Sequence, residues 1–277
     1  PTFVADPVEP YQLQYTGRIF YFNSLFSRQS FTFAKSFRTM TMQKPEVGKI
    51  LTEAYQYWMK TLPYQLLFSV IYFSVIMFAG AYAFRYYGLF EEVNRFSQLM
   101  YSDFPAFIKK YEALMQTENA VAFTMAVLVI KAVIFPLNIG FLKIYRKLDL
   151  GEPAVVSDLF AGFRGYHFFL FGIYAVFWNV INSYLLLFPP LCLLWIGLAL
   201  FVPALVFYKN INFFQAFRIS AQVFRKNVFL ILLVSLASVL ISYCGILVFF
   251  FGIFVSFPFW NAAIYVLYKH VIADFGE

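Results

Sequence analysis

The chain has 277 residues, of which 62% are hydrophobic, 23% aromatic and only 13% charged. A soluble domain averages about 45–50% apolar and about 25% charged residues. This composition excludes a disordered chain, and it leaves too little polar surface to cover a soluble core, so a polytopic membrane protein is expected. The net charge is +7, from 21 Lys+Arg against 14 Asp+Glu. A basic balance fits nucleic acid or the positive-inside bias of a membrane protein, and the placement of the charges separates the two.

In chain order, residues 1–43 hold no apolar run long enough to span a bilayer and no signal-peptide order. Two readings stay open for them. Either translation starts at Met40 or Met42, or the stretch is a peripheral segment whose Phe and Arg residues lie on the membrane. Residues 44–277 read as one membrane domain. Val47, Ile50, Leu51, Ala54 and Trp58 recur at helical spacing, with Lys49, Thr52, Glu53, Gln56 and Lys60 on the other face. Apolar runs follow at Tyr64–Phe84, Ala120–Leu142, Tyr166–Leu187, Leu191–Tyr208, Val228–Tyr243 and Ile246–Leu267. About 20 residues cross a hydrocarbon core of roughly 30 Å. The runs do not alternate as barrel strands do. The expected fold is therefore all-α, a polytopic membrane helical bundle of six transmembrane helices with amphipathic interfacial helices.

Between the first two runs lies an insertion at 89–119. Val93, Phe96 and Met100 recur at helical spacing, then Phe107, Ile108, Tyr111, Leu114 and Met115 beyond Asp103-Phe104-Pro105. Two short helices across the outer face are expected, with Asp103 near the cap of the second. A further interfacial helix is expected before the third run, capped by Ser157 with Val156, Leu159, Phe160 and Phe163 as its stripe. Another is expected before the fifth, with Phe214, Phe217, Ala221 and Phe224 on one face and Gln215, Arg218, Gln222 and Arg225 on the other.

Lys and Arg set the orientation. Sixteen lie before the first run, in the 2–3 and 4–5 loops and at the C-terminus; four (Arg85, Arg95, Lys109, Lys110) lie on the opposite side. This bias predicts the cytoplasmic (inner) membrane with both termini cytoplasmic, and it accounts for the net charge without nucleic acid. The three amphipathic segments then fall on the cytoplasmic face. They either tether loops to the lipid bilayer or form a collar for a protein partner.

The stretch from Gly151 to Ile272 carries a resemblance. It includes Gly151-Glu152-Pro153, then Ser157-Asp158-Leu159-Phe160-Ala161-Gly162-Phe163. Pro203 and Phe214-Gln215-Ala216-Phe217-Arg218-Ile219-Ser220 follow. Arg225-Lys226-Asn227 opens the fifth run, and Gly252, Pro258 and Ala263–Tyr268 mark the sixth. These residues resemble a family of bacterial multi-pass membrane proteins related to the YciC-like proteins and to the membrane domain of some glycerophosphoryl diester phosphodiesterases. Val47–Tyr64 is similar to that family's first interfacial helix, whereas Leu89–Asn119 departs from its usual short outer connection. The resemblance implies six helices, cytoplasmic termini and no catalytic residues.

Enzyme chemistry finds little support in the residues. No Walker loop, dinucleotide fingerprint or nucleophile elbow is present. The runs contain no Asp or Glu, so no paired-carboxylate protease is expected. His167 and His270 are too few for a four-His iron centre and are expected to pack at the interface. Cys192 and Cys244 offer no zinc, haem or iron–sulfur spacing, and no cofactor or metal is expected. Both fall at the outer ends of their runs, where they either pair or stay as small apolar residues.

Polar residues inside the runs are the candidate site: Lys131, Asn179, Asn182 and Asn261. A central Lys costs about 2.5–3.5 kcal/mol on insertion scales, so it should face protein or water. Pro136, five residues on, frees a carbonyl. These groups line a solute path or bond between helices. Two function classes result. One is a non-enzymatic membrane protein that scaffolds or regulates a partner at the cytoplasmic membrane. The other is a small-solute transporter or permease subunit with a polar path near Lys131.

Overall fold

A computed structural model describes residues 46–247 and 251–272, and the expectations for residues 1–43 fall outside them. Every regular element among the described residues is helical. Five segments are long and apolar enough to cross a membrane: Leu62–Tyr86, Glu118–Asp149, Tyr166–Leu185, Pro189–Lys209 and Val228–Leu247. Their outward faces are apolar, with Met77 67% and Phe78 78% exposed on the first. Such a surface suits lipid, not water. The chain is an integral membrane protein of the all-α class.

Helix α1 (Val47–Lys60) buries Ile50 and Ala54, at the apolar positions expected. It packs against the last helix, and Trp58 ties it to the short helix Gly252–Ser256 before that one, its indole N–H donating to the Val255 carbonyl at 3.0 Å. Helix α2 (Leu62–Tyr86) places Pro63 in its first turn, where the missing N–H has no intrahelical partner anyway. The insertion at 89–119 folds as α3 (Leu89–Phe96), the single turn α4 (Leu99–Ser102) and α5 (Phe104–Met115). Two helices were expected; the turn of Leu99–Ser102 is additional. Asp103 caps α5 by accepting from the Ala106 amide at 3.1 Å. Leu89, Phe96, Leu114 and Ala120 form a small cluster separate from the main core.

Helices α6 (Glu118–Ile134) and α7 (Pro136–Asp149) make one span, interrupted at Phe135. Gly151, at φ +68°, ends α7, and the Glu152 amide returns to the Lys147 carbonyl at 2.9 Å. This is the left-handed helix stop that glycine favours. The next segment corrects the sequence reading. Val156–Phe163 is a 3-10 helix packed on α7, not an α-helix at the lipid surface. Ser157 does not cap it; Asp158 does, accepting from the Val155 amide at 3.0 Å. Val156 and Phe160 are exposed while Asp158, Leu159, Ala161 and Gly162 are buried. Three residues per turn move the buried face off the 3.6-residue stripe.

Helix α8 (Tyr166–Leu185) forms the third span. The fourth, α9 (Pro189–Ala199) with α10 (Val202–Lys209), breaks at Leu200-Phe201. Helix α11 (Phe213–Lys226) buries Ala216, Ser220, Val223 and Phe224, whereas Phe214 is 87% exposed. The expected stripe was therefore rotated. The face turned to the bundle uses small residues, and Ser220 is there because its hydroxyl accepts from the Phe201 amide freed at the break, at 3.3 Å. Helix α12 (Val228–Cys244) is the fifth span. The sixth apolar run is divided into α13 (Gly252–Ser256) and α14 (Phe259–Ile272) at Phe257-Pro258, so neither piece alone is long enough to cross. Ser242 and Ser256 stitch the division: Ser256 donates to the Ser242 carbonyl at 2.8 Å, and the Trp260 amide donates to the Ser242 hydroxyl at 3.1 Å.

Candidate functional site

Two spans and the sixth apolar run break beside a proline, and residues of all three breaks line one space. Proline removes an amide donor and frees the carbonyl four residues earlier. At the second break Pro203 frees the Ala199 carbonyl, which accepts from the Tyr174 hydroxyl at 3.1 Å. At the first, the Asn138 amide donates to the Phe135 carbonyl at 3.0 Å. Phe135, Leu200, Pro203 and Phe257 come one or two from each break, and all four line a single cavity of about 360 Å³.

Lys131, Asn179, Asn182 and Asn261 line the same cavity. The structure thus brings together all four polar residues singled out in the sequence, although they lie on α6, α8 and α14. Asn179 donates to the Ala175 carbonyl of its own helix at 2.7 Å. Asn182 accepts from the Cys192 thiol at 3.1 Å through its side-chain oxygen. The Lys131 ammonium, the Asn182 side-chain amide N–H groups and the Asn261 side chain make no hydrogen bond to other described residues. No Asp, Glu or His lines the space. The site is a set of unengaged donors around one cation, walled by aromatic rings that include Tyr72, Trp178 and Trp260. Asn138 also lines it and was missed. Its signal was present, since it stands seven residues after Lys131 on the same helical face.

Both Cys192 and Cys244 are free thiols, so the pairing left open by the sequence does not occur. Among the described residues no three His, Cys, Asp or Glu side chains converge to hold a metal. No protein-family model, curated protein or solved structure matches the chain.

A second polar cluster joins the ends of α1, α7 and α14 and was not legible in the sequence. Asp149 accepts from the Tyr57 and Tyr265 hydroxyls. Lys269 donates to the Tyr57 hydroxyl at 2.6 Å, pairs with Asp149 at 3.2 Å and reaches Glu53 at 3.4 Å. His270, expected only to pack, meets Glu53 at 2.8 Å. The His270 hydrogen bond lowers the Glu53 carboxyl from its ordinary value, against desolvation and with help from Lys269. Burial disfavours the Lys269 charge, but Tyr57 and Asp149 outweigh it and raise its pKa. Desolvation and the Asp149 hydrogen bond push the Tyr57 hydroxyl up to about 12, so it remains a donor at neutral pH. A recess of about 640 Å³ lies beside the cluster between α1 and the end of α7. The carboxylates on its wall, Glu53 and Asp149, are already engaged with Lys269 and its neighbours, so the cluster reads as a latch holding α1 to the bundle. His167, the other histidine, stacks on Phe171 with ring centroids 5.9 Å apart.

Proposed function

We propose that the protein is a non-enzymatic permease or permease subunit of the cytoplasmic membrane, with both termini cytoplasmic, that holds a small anionic solute beside Lys131. One observation carries the reading: the cavity bearing Lys131 and the asparagine donors is bounded by the breaks of two spans and of the sixth apolar run. Interrupted helices present free backbone groups and hinge points at membrane depth, and such segments form the solute sites of many transporters. A lysine held within a span is costly unless it faces water, protein or a ligand. The lining has no carboxylate or imidazole to serve as a general acid or base, which supports binding over catalysis.

Thermal unfolding of the detergent-solubilised chain against a panel of small inorganic and organic anions tests this. At least one anion raises Tm in the native chain and not in Lys131→Met. A panel without any Lys131-dependent shift overturns the proposal.

A second reading, a scaffold for a protein partner at the cytoplasmic face, rests on α11, where Phe214 is exposed beside the partly exposed Phe217. It is the weaker one, because the apolar stripe of α1 is spent on the bundle and is not open to a partner. Co-purification in mild detergent of a stoichiometric protein, lost in Phe214→Ser, would favour it. The family relationship suggested by Gly151–Ile272 is part of neither reading.

A further inference from the structure

The cavity's lining also restricts what it takes. Resting on the solute-site reading above, we infer that the occupant is a monoanionic carboxylate with an apolar, ring-sized body. Three features point to it.

The first is charge. Lys131 is the one charged residue on the cavity wall. A single ammonium neutralises a single negative charge. Lys131 is exposed, and a phosphate or sulfate dianion beside it would keep one uncompensated charge at membrane depth, which is disfavoured. The ammonium of a zwitterion would find no carboxylate on the wall.

The second is the donor set. The Asn182 side-chain amide N–H groups, the Asn261 side chain and the Lys131 ammonium are unengaged within the described structure, while the Asn182 side-chain oxygen is taken by the Cys192 thiol. Amide N–H groups and an ammonium are what a carboxylate, an acceptor with two oxygens, needs to replace its water. A neutral alcohol would satisfy few of them.

The third is the apolar remainder. Tyr72, Trp178, Tyr243, Phe257 and Trp260 line the cavity with ring faces and edges. Rings of this kind favour an apolar or aromatic body by area and by stacking. A cavity of about 150 Å³ holds benzene. The 360 Å³ here accommodates a ring with its carboxylate and a short chain.

Trp178 and Trp260 report directly on occupancy, which gives a readout independent of stability. The full chain in mild detergent is titrated with phenylacetate, 2-phenylethanol, phenethylamine, acetate, phosphate and oleate, and with 4-nitrobenzoate as an absorbing quencher of tryptophan fluorescence. Phenylacetate is expected to raise Tm by about 4 °C at tenfold excess over its Kd, and 4-nitrobenzoate to quench saturably. Acetate, the alcohol and the amine should do neither at the same concentration. Lys131→Met should weaken both effects at least tenfold and Lys131→Arg should retain them. Asn182→Leu, which keeps the charge, should weaken them less. If Lys131→Met fails to fold, Asn182→Leu and the quenching titration still decide the matter.

Lys131-dependent stabilisation by phosphate or acetate equal to that by phenylacetate would overturn the inference and leave the anion site standing. An equal effect of 2-phenylethanol would overturn both. No binding by any probe would also overturn both. Oleate binding far tighter than phenylacetate, with the same Lys131 dependence, would overturn the ring-sized body and leave a carboxylate site open to the lipid phase; tighter phenylacetate would support the inference and place the source in water.

Discussion

A β-carbon built on Gly140 would lie 2.0 Å from the Leu159 carbonyl oxygen, so the 3-10 turn rests directly on the backbone of α7. Gly162 makes the reciprocal approach, its own β-carbon falling 2.2 Å from the Pro136 carbonyl oxygen. Neither obstacle is a flexible side chain, so alanine at either position must push the two segments apart. Overpacking of this kind costs about 1–3 kcal/mol or more. Gly140→Ala and Gly162→Ala are therefore expected to lower the midpoint of thermal unfolding in detergent. Gly80 has nothing within 4 Å of a built β-carbon, and Gly80→Ala in mid-helix should raise stability by about 0.5–1 kcal/mol. Equal effects at Gly80 and Gly140 would contradict the close contact.

The same turn is gripped by charge. Asp158 is 1% exposed and takes ion pairs from Lys143 at 2.8 Å and Lys147 at 2.7 Å, one helical turn apart on α7. Desolvation raises its carboxyl, but the two lysines and the Val155 amide outweigh it and hold the pKa at about 2. The folded value is below the ordinary 3.8, so this stabilisation is fully present above pH 3.8 and is lost as pH falls through about 2. Asp158→Asn should cost about 3 kcal/mol at neutral pH, because it strands two lysines. The stability gap between native chain and variant, followed from pH 6 to pH 2.5, should narrow at the acid end.

Lys269 and Asp149 close the latch between α14 and α7. Their side chains are 25% and 15% exposed, and removing one partner strands a partly buried charge. A double-mutant cycle of Lys269→Met with Asp149→Asn should give a coupling of about 1–2 kcal/mol. The raised pKa of Lys269 makes its contribution fully present below its ordinary 10.5, with loss only as pH rises through the higher folded value. The coupling should thus be flat from pH 7 to 9. A coupling near zero would mean that the tyrosine hydroxyls hold Asp149 unaided.

Leu89, Phe96, Leu114 and Ala120 form a small core of their own. Leu89→Ala, at a 1% exposed position, should cost about 2–4 kcal/mol locally. Protease sensitivity should then rise between residues 89 and 116 before the spans unfold. Binding at the Lys131 cavity should be unchanged, since no residue of this insertion lines it. Loss of binding in this variant would make the insertion part of the site.

Orientation is tested separately. Reporter fusions after Gly151 should read as cytoplasmic and fusions within 97–103 as external, as the distribution of Lys and Arg requires. Gly151 external with 97–103 cytoplasmic would reverse the proposed orientation, and the same compartment for both would contradict a span at Glu118–Asp149.

Much of the candidate site was legible because a polar residue in an apolar run is conspicuous whatever surrounds it. Lys131, Asn179, Asn182 and Asn261 stood out for that reason, and they converge on one cavity. Asp149, Lys269 and Glu53 were not legible, because charges at the ends of spans look alike whether solvated or paired. Ser220 and Ser242 were equally silent; their roles depend on which backbone amides the breaks at Phe201 and Phe257-Pro258 leave unpaired.

The sequence by itself determined that this is a helical membrane protein, where its apolar runs lie, and that Pro136 disturbs the second of them. Those are local properties, set by transfer of side chains into lipid and by the missing amide of that proline. Only the tertiary structure decided that the 3-10 turn of Val156–Phe163 is buried on α7, that α11 turns its small residues inward, and that the three breaks face one cavity. In lipid every face of a span is apolar, so hydrophobic periodicity cannot tell the buried side from the exposed one. Close backbone contact at Gly140 and Gly162, and the need to satisfy freed polar groups, supply that choice.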